Sequence, residues 1–138
     1  MEYRINEGTL VLPGQWSDRS YNALLPALSE VPGFNIVISR DELPYGTEFD
    51  DYMAVQMKKF RTTLKGFVLE HEEALVLAER PARFLEFSWK NENTQIFQSV
   101  LVINDQPCIL SLTSTSPGRY PDEVRAQVKE AFLGFTFA

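Results

Sequence analysis

The sequence predicts an α+β fold: a curved antiparallel sheet with two main helices, in one domain spanning residues 1–138. Three observations predict it. Residues 47–65 and 121–133 place apolar side chains at helical spacing. The other apolar runs are short and rich in β-branched and aromatic residues, as strands are. Four of those runs follow one another through links of about three residues, Glu79-Arg80-Pro81, Asn91-Glu92-Asn93 and Asp105-Gln106-Pro107. Links so short join antiparallel neighbours, because a parallel crossover needs a dozen residues or more.

In chain order, residues 3–6 and 9–12 flank Glu7-Gly8 and predict a terminal hairpin or two edge strands. Pro13-Gly14 breaks the chain. Residues 18–25, DRSYNALL, lean towards strand, because Pro26 follows and disfavours helix. Residues 34–41, FNIVISRD, predict a strand after the Pro32-Gly33 turn. Phe34, Ile36, Ile38 and Leu24 form the expected core set, with Val37 and Ala23 on the opposite side.

The helix at 47–65 has Thr47 as expected N-cap and Glu48, Asp50 and Asp51 in its first turn, where the dipole favours acid. Phe49, Met53, Met57, Phe60 and Leu64 form its stripe, with Gln56 at the edge, and Gly66 supplies the stop. Strands are expected at 67–77, 82–90, 94–104 and 108–115. In the closing helix Pro121 suits the first helical position, and Val124, Val128, Ala131, Phe132 and Phe135 make the buried face. Both helices are expected mostly on one side of the sheet.

Composition narrows the function. Apolar residues are 44 % of the chain, so a core forms without staples. A net charge of −6 and a pI near 4.8 make a poor polyanion binder, so nucleic acid is set aside. Lys58, Lys59, Arg61 and Lys65 read as a solvated helix face. The single cysteine, Cys108, permits no internal disulfide and sits in apolar PCILSL. The N-terminus lacks an apolar signal core, and no stretch of about 18 apolar residues occurs. These features favour a reducing cytoplasm and no membrane span.

Catalytic motifs are thin. His71 stands alone, and one histidine with one cysteine does not make the usual zinc set. His71 beside Glu73 reads as a solvated strand face, and a Cys108–His71 nucleophile–base pair lacks an orienting third group. The seven glycines are scattered at turns and caps rather than gathered into a phosphate loop. No cofactor or metal is implied, and no enzyme.

What stands out is surplus apolar strand surface. In TQIFQSVLVI, Ile96, Gln98, Val100 and Val102 share one face and Phe97, Ser99, Leu101 and Ile103 the other. Both are apolar, whereas a sheet with one open face alternates with polar residues. Phe84, Leu85, Phe87 and Trp89 form a second such run. Two explanations stay open: the second face is covered by loops or a symmetric partner, or it is a hydrophobic groove for a ligand or polypeptide. Gln98 and Gln56 are then either ordinary glutamines or polar contacts in that groove.

The segments NEGTLVLPGQWSDRSYNAL, FNIVISRDELPYGTEFDDYMAVQMKKFRTTLKGF and RPARFLEFSWKNENTQIFQSVLVI, with the closing LSLTST, resemble the DcrB/Eag family across nearly the whole chain. The shared features are Trp16-x-Asp18, the strand ending VISRD, the helix ending LKGF, the glutamine-containing strand and the terminal amphipathic helix. The resemblance implies a Mog1/PsbP-like fold. It also implies a cytoplasmic, homodimeric adaptor chaperone of bacterial type VI secretion, which holds the N-terminal transmembrane segments of a PAAR-domain effector in a concave groove. Carried onto this chain, it places Tyr21, Ala23 and Val37 on the groove strands, with Val100 beside them, and makes Gln98 and Gln56 the polar contacts. The family often has an aliphatic residue where Tyr21 and Ala23 stand. The alternatives are a Mog1-like partner-binding regulator or a small-ligand protein of the same fold.

Overall fold

The computed structural model describes residues 1–27 and 32–138. Strands β1 (Glu2–Ile5) and β2 (Gly8–Val11) pair as a hairpin and form a two-stranded sheet of their own. The main sheet has six antiparallel strands: β3 (Asn22–Leu24), β4 (Asn35–Glu42), β5 (Val68–Leu77), β6 (Arg80–Asn91), β7 (Thr94–Asp105) and β8 (Cys108–Pro117). Their order is β3-β4-β8-β7-β6-β5. The short links set the register of the central hairpins, pairing Leu77 with Arg80, Asn91 with Thr94 and Asp105 with Cys108. The later pairings in the β6–β7 and β7–β8 ladders follow from these closures, whereas the β5–β6 ladder shifts register at a bulge between Leu69 and His71.

Helices α1 (Phe49–Thr63) and α2 (Asp122–Leu133) lie on opposite faces, not mostly on one side as the sequence suggested. On one face α1 buries Phe49, Met53 and Met57 against Leu85, Phe87, Val100, Val102 and Ile109. On the other α2 buries Val128 and Phe132 against Phe84, Leu101, Ile103, Leu110 and Leu112. The reason lies in the strands. Alternation along β6, β7 and β8 puts apolar side chains on both faces, so each face needs its own cover. The second greasy face of residues 94–103 is therefore largely occupied by this chain's own helix.

Local details also differ. Thr47 does not cap α1: Glu48 holds that position without a side-chain cap bond, and the Thr47 N–H closes a turn onto the Pro44 carbonyl at 3.0 Å. The helix ends earlier than expected, at Thr63 with Leu64 as its C-cap, and Gly66 stands two residues beyond the cap at φ +66°, a conformation that suits glycine. Pro121 is the N-cap of α2 rather than its first residue, and Ala131 is exposed, because it lies about 100° round the helix from Phe132. Phe34, Ile36 and Ile38 pack into the α2-side core as expected. Leu24 does not: β3 is a three-residue edge strand, and this side chain is 53 % exposed.

Candidate functional site

The register assembles a trough on the α1 face. One row runs across five strands: Ala23 opposite Val37, Val37 opposite Thr113, Thr113 opposite Val100, and Val100 opposite Leu85. Paired residues share a face, so all five side chains point to the same side. Along this row burial falls towards the β3 edge. Leu85 and Val100 are buried beneath α1, Val37 and Thr113 are half-buried, and Ala23 is exposed. The neighbouring rows pair Ser39 with Ser111 and Ser111 with Val102, and Asn35 with Thr115 and Thr115 with Gln98. The sheet is thus wider than the helix that covers it.

Between α1 and this floor lies a cavity of about 270 Å³. Helix α1 supplies Tyr52, Met53, Gln56 and Phe60 to its wall, and the sheet supplies Gln98, Val100, Val102, Ser39, Ser111 and Thr113, with Leu85 and Phe87 at the back. None of these residues is charged. The lining mixes apolar side chains, two amides and small hydroxyls, so the trough is less greasy than the strand sequence alone implied. The Ser39, Ser111 and Thr113 hydroxyls and the Gln56 amide have no hydrogen-bond partner among the described residues.

Gln98 is held at both ends of its amide. Trp89 Nε1 donates to Gln98 Oε1 at 2.8 Å, and Gln98 Nε2 donates to Thr115 Oγ1 at 2.9 Å. At the far end of the cavity the Tyr52 hydroxyl donates to the Asp41 carboxylate at 3.1 Å. Burial, and then the negative charge of Asp41, push the Tyr52 pKa up to about 12.

Of the residues singled out from sequence, Gln56, Gln98 and Val100 meet in this cavity. Val37 and Ala23 continue its floor outward. Tyr21 precedes β3, is 68 % exposed, and lines a different cavity beside the terminal hairpin, with Tyr3 and Trp16. Sequence reasoning missed Ser39, Ser111, Thr113, Tyr52 and Trp89. The signal for Ser111 and Thr113 was available: the Asp105–Cys108 closure sets them opposite Val102 and Val100.

His71 and Cys108 lie outside this cavity. His71 Nε2 and Lys129 Nζ both reach Glu73 Oε2, at 2.9 and 3.2 Å, tying α2 to β5. These hydrogen bonds, from His71 first, hold the Glu73 carboxyl below its usual range. Burial pushes the Cys108 thiol up, which disfavours the nucleophilic thiolate. Among the described residues no group of three His, Cys, Asp or Glu side chains is placed to hold a metal, and no helix is long and apolar enough to cross a membrane.

Comparison with known proteins agrees with this architecture. The DcrB family profile matches residues 7–132. Effector EagT6 of Pseudomonas aeruginosa is 31 % identical over 121 residues, which is 86 % of this chain and 84 % of that protein. The crystal structure of protein PA94 from Pseudomonas aeruginosa superposes with a TM-score of 0.82 at 27 % identity, covering 100 % of this chain and 96 % of that one. Two more distant structures share the fold. CyanoP, the PsbP of Synechocystis sp. PCC 6803, has a TM-score of 0.51 at 13 % identity, covering 81 % of this chain and 76 % of that one. LpqN of Mycobacterium tuberculosis has a TM-score of 0.52 at 20 % identity, covering 79 % and 63 %. The fold is Mog1/PsbP-like.

Proposed function

We propose, from the premise that this chain belongs to the DcrB family, that it is an adaptor chaperone of bacterial type VI secretion. It binds and shields the apolar N-terminal transmembrane segments of a PAAR-domain effector and assists their loading. It works in the cytoplasm, as a homodimer, and without catalysis. One observation carries the reading: Gln56, Gln98 and Val100 line one uncharged cavity, and strand pairing continues its floor to half-buried Val37 and exposed Ala23.

The dimensions suit a helix. Strands β8, β4 and β3 are only partly covered by α1, and two spacings of about 4.8 Å give a floor about 10 Å wide. A helix with its side chains is about 10–12 Å across. Apolar contact there gains about 25 cal/mol per Å² removed from water. The polar content of the floor also fits. Membrane spans pack through small residues and through Ser, Thr, Asn and Gln hydrogen bonds. A surface of Ala23, Val37, Ser39, Ser111, Thr113 and Gln98 offers such a span what a neighbouring span would.

Support for a second copy comes from the N-terminal region. Val11, Trp16, Tyr21 and Leu25 are 79, 57, 68 and 78 % exposed, apolar surface that a partner would cover.

A second reading rests on the cavity itself. Its volume, about 270 Å³, lies just below the range of about 300–1,000 Å³ typical of small-ligand pockets. The two readings part on co-expression with the product of the adjacent gene. The chaperone reading expects this chain to keep an otherwise insoluble apolar N-terminus in solution, and the mass of the purified complex to show two copies of the chain with the client. Gln98→Ala combined with Val37→Asp should cut client recovery at least tenfold; unchanged recovery removes the groove assignment. A carrier stays behind when its client is exported, so the culture medium should hold the client and not this chain.

A further inference from the structure

Gln98 sits between two fixed partners on neighbouring strands, Trp89 of β6 and Thr115 of β8. An indole N–H is a donor and nothing else, so it requires the amide oxygen at that end. The amide nitrogen is thereby turned to Thr115, which accepts from it at 2.9 Å. A primary amide carries two N–H groups and two oxygen lone pairs. One of each is engaged, and one of each is left for whatever occupies the cavity that Gln98 lines. An untethered glutamine would have three free torsions to order before it could offer the same pair.

We propose that Trp89 and Thr115 are positioning residues that hold the Gln98 amide in one orientation, and that this makes the trough select a helix bearing a polar side chain over a wholly apolar one. The inference rests on the helix-binding reading above and specifies which helices it favours. Trp89 also packs on the α1-side core, so its test separates the N–H from the ring. Trp89→Phe keeps an aromatic ring and removes the donor. Thr115→Val keeps the shape and removes the acceptor, from the opposite strand.

The probe is a soluble carrier ending in a Leu/Ala segment of about 20 residues. In one version it is wholly apolar; in four others a single Asn is stepped through the central turn. Each is co-expressed with the full chain and the captured amounts are compared. Wild type should recover the best Asn version about fivefold over its apolar twin, the ratio expected for one net hydrogen bond. Trp89→Phe and Thr115→Val should bring that ratio close to one, as should Gln98→Ala, and Trp89→Phe should cost nothing further in the Gln98→Ala background. A preference that survives both positioning variants but is lost in Gln98→Ala overturns this inference and leaves the function standing. Equal capture of all versions by wild type overturns it too. Capture of none overturns the helix-binding reading itself. Amide NMR guards against a merely unfolded variant: the Gln98 side-chain N–H signals should lose their exchange protection in Trp89→Phe while the backbone spectrum persists. Protection equal to wild type overturns the proposal.

Discussion

Tyr52 joins α1 to the end of β4 through one hydroxyl, and its chemistry can be tested directly. Burial and the Asp41 charge raise its pKa to about 12, against an ordinary 10 in the unfolded chain. The folded state therefore favours the neutral phenol. Its contribution to stability is fully present below pH 10 and is lost as pH rises through 12. Ultraviolet titration should find one of the five tyrosines ionising about two units late, and Tyr52→Phe should abolish that late step. A titration curve unchanged by the substitution removes the assignment. Residues of this kind were hidden in the sequence. Alternation put Gln98 and Val100 on one face of their strand and Val37 opposite the core set of its own, because a strand's period is two; only the pairing through Thr113 brings Val37 and Val100 to the same side of the sheet. Trp89 read as one of an apolar run and Tyr52 was not singled out, since their polar ends matter only once the fold brings Gln98 and Asp41 alongside.

The helices were legible as elements and illegible in placement. Apolar spacing identifies the stripe a helix buries but not the sheet face that receives it. Here both faces of β6 and β7 were apolar, so sequence pattern did not distinguish a sheet with one open side from a sheet covered on both. The structure resolves the surplus by giving α1 to one face and α2 to the other. Met53, 1 % exposed, is the side chain by which α1 holds its place. Met53→Ala should lower unfolding free energy by about 2–5 kcal/mol, the usual cost of removing a large buried side chain. Urea denaturation measures it, and a loss below about 1 kcal/mol would mean that α1 is held mainly by its ends. Such a loss would also make the trough wall movable, because Tyr52, Met53 and Gln56 line the cavity from this helix.

The whole molecule makes a trough by a mismatch of widths. A six-stranded sheet carries one helix on this face, and the helix sits towards the β6–β7 side, so the floor on β8, β4 and β3 is left partly open. This geometry follows from pairing order, which no single segment of sequence contains, and it separates positions that hold the fold from positions proposed to meet a client. Ala23 tests the separation. It is exposed on a three-residue edge strand, so Ala23→Asp should change stability by no more than about 0.5 kcal/mol. Yet Ala23 opens the row that leads through Val37 and Thr113 to Val100. An apolar helix lying across that row would bury the new carboxylate without a partner, which is costly. Recovery of a co-expressed client should then fall about tenfold while the unfolding midpoint holds. If recovery holds as well, no helix reaches the β3 edge. The occupant is then confined to the cavity under α1, where its volume suits a small molecule better than a membrane span.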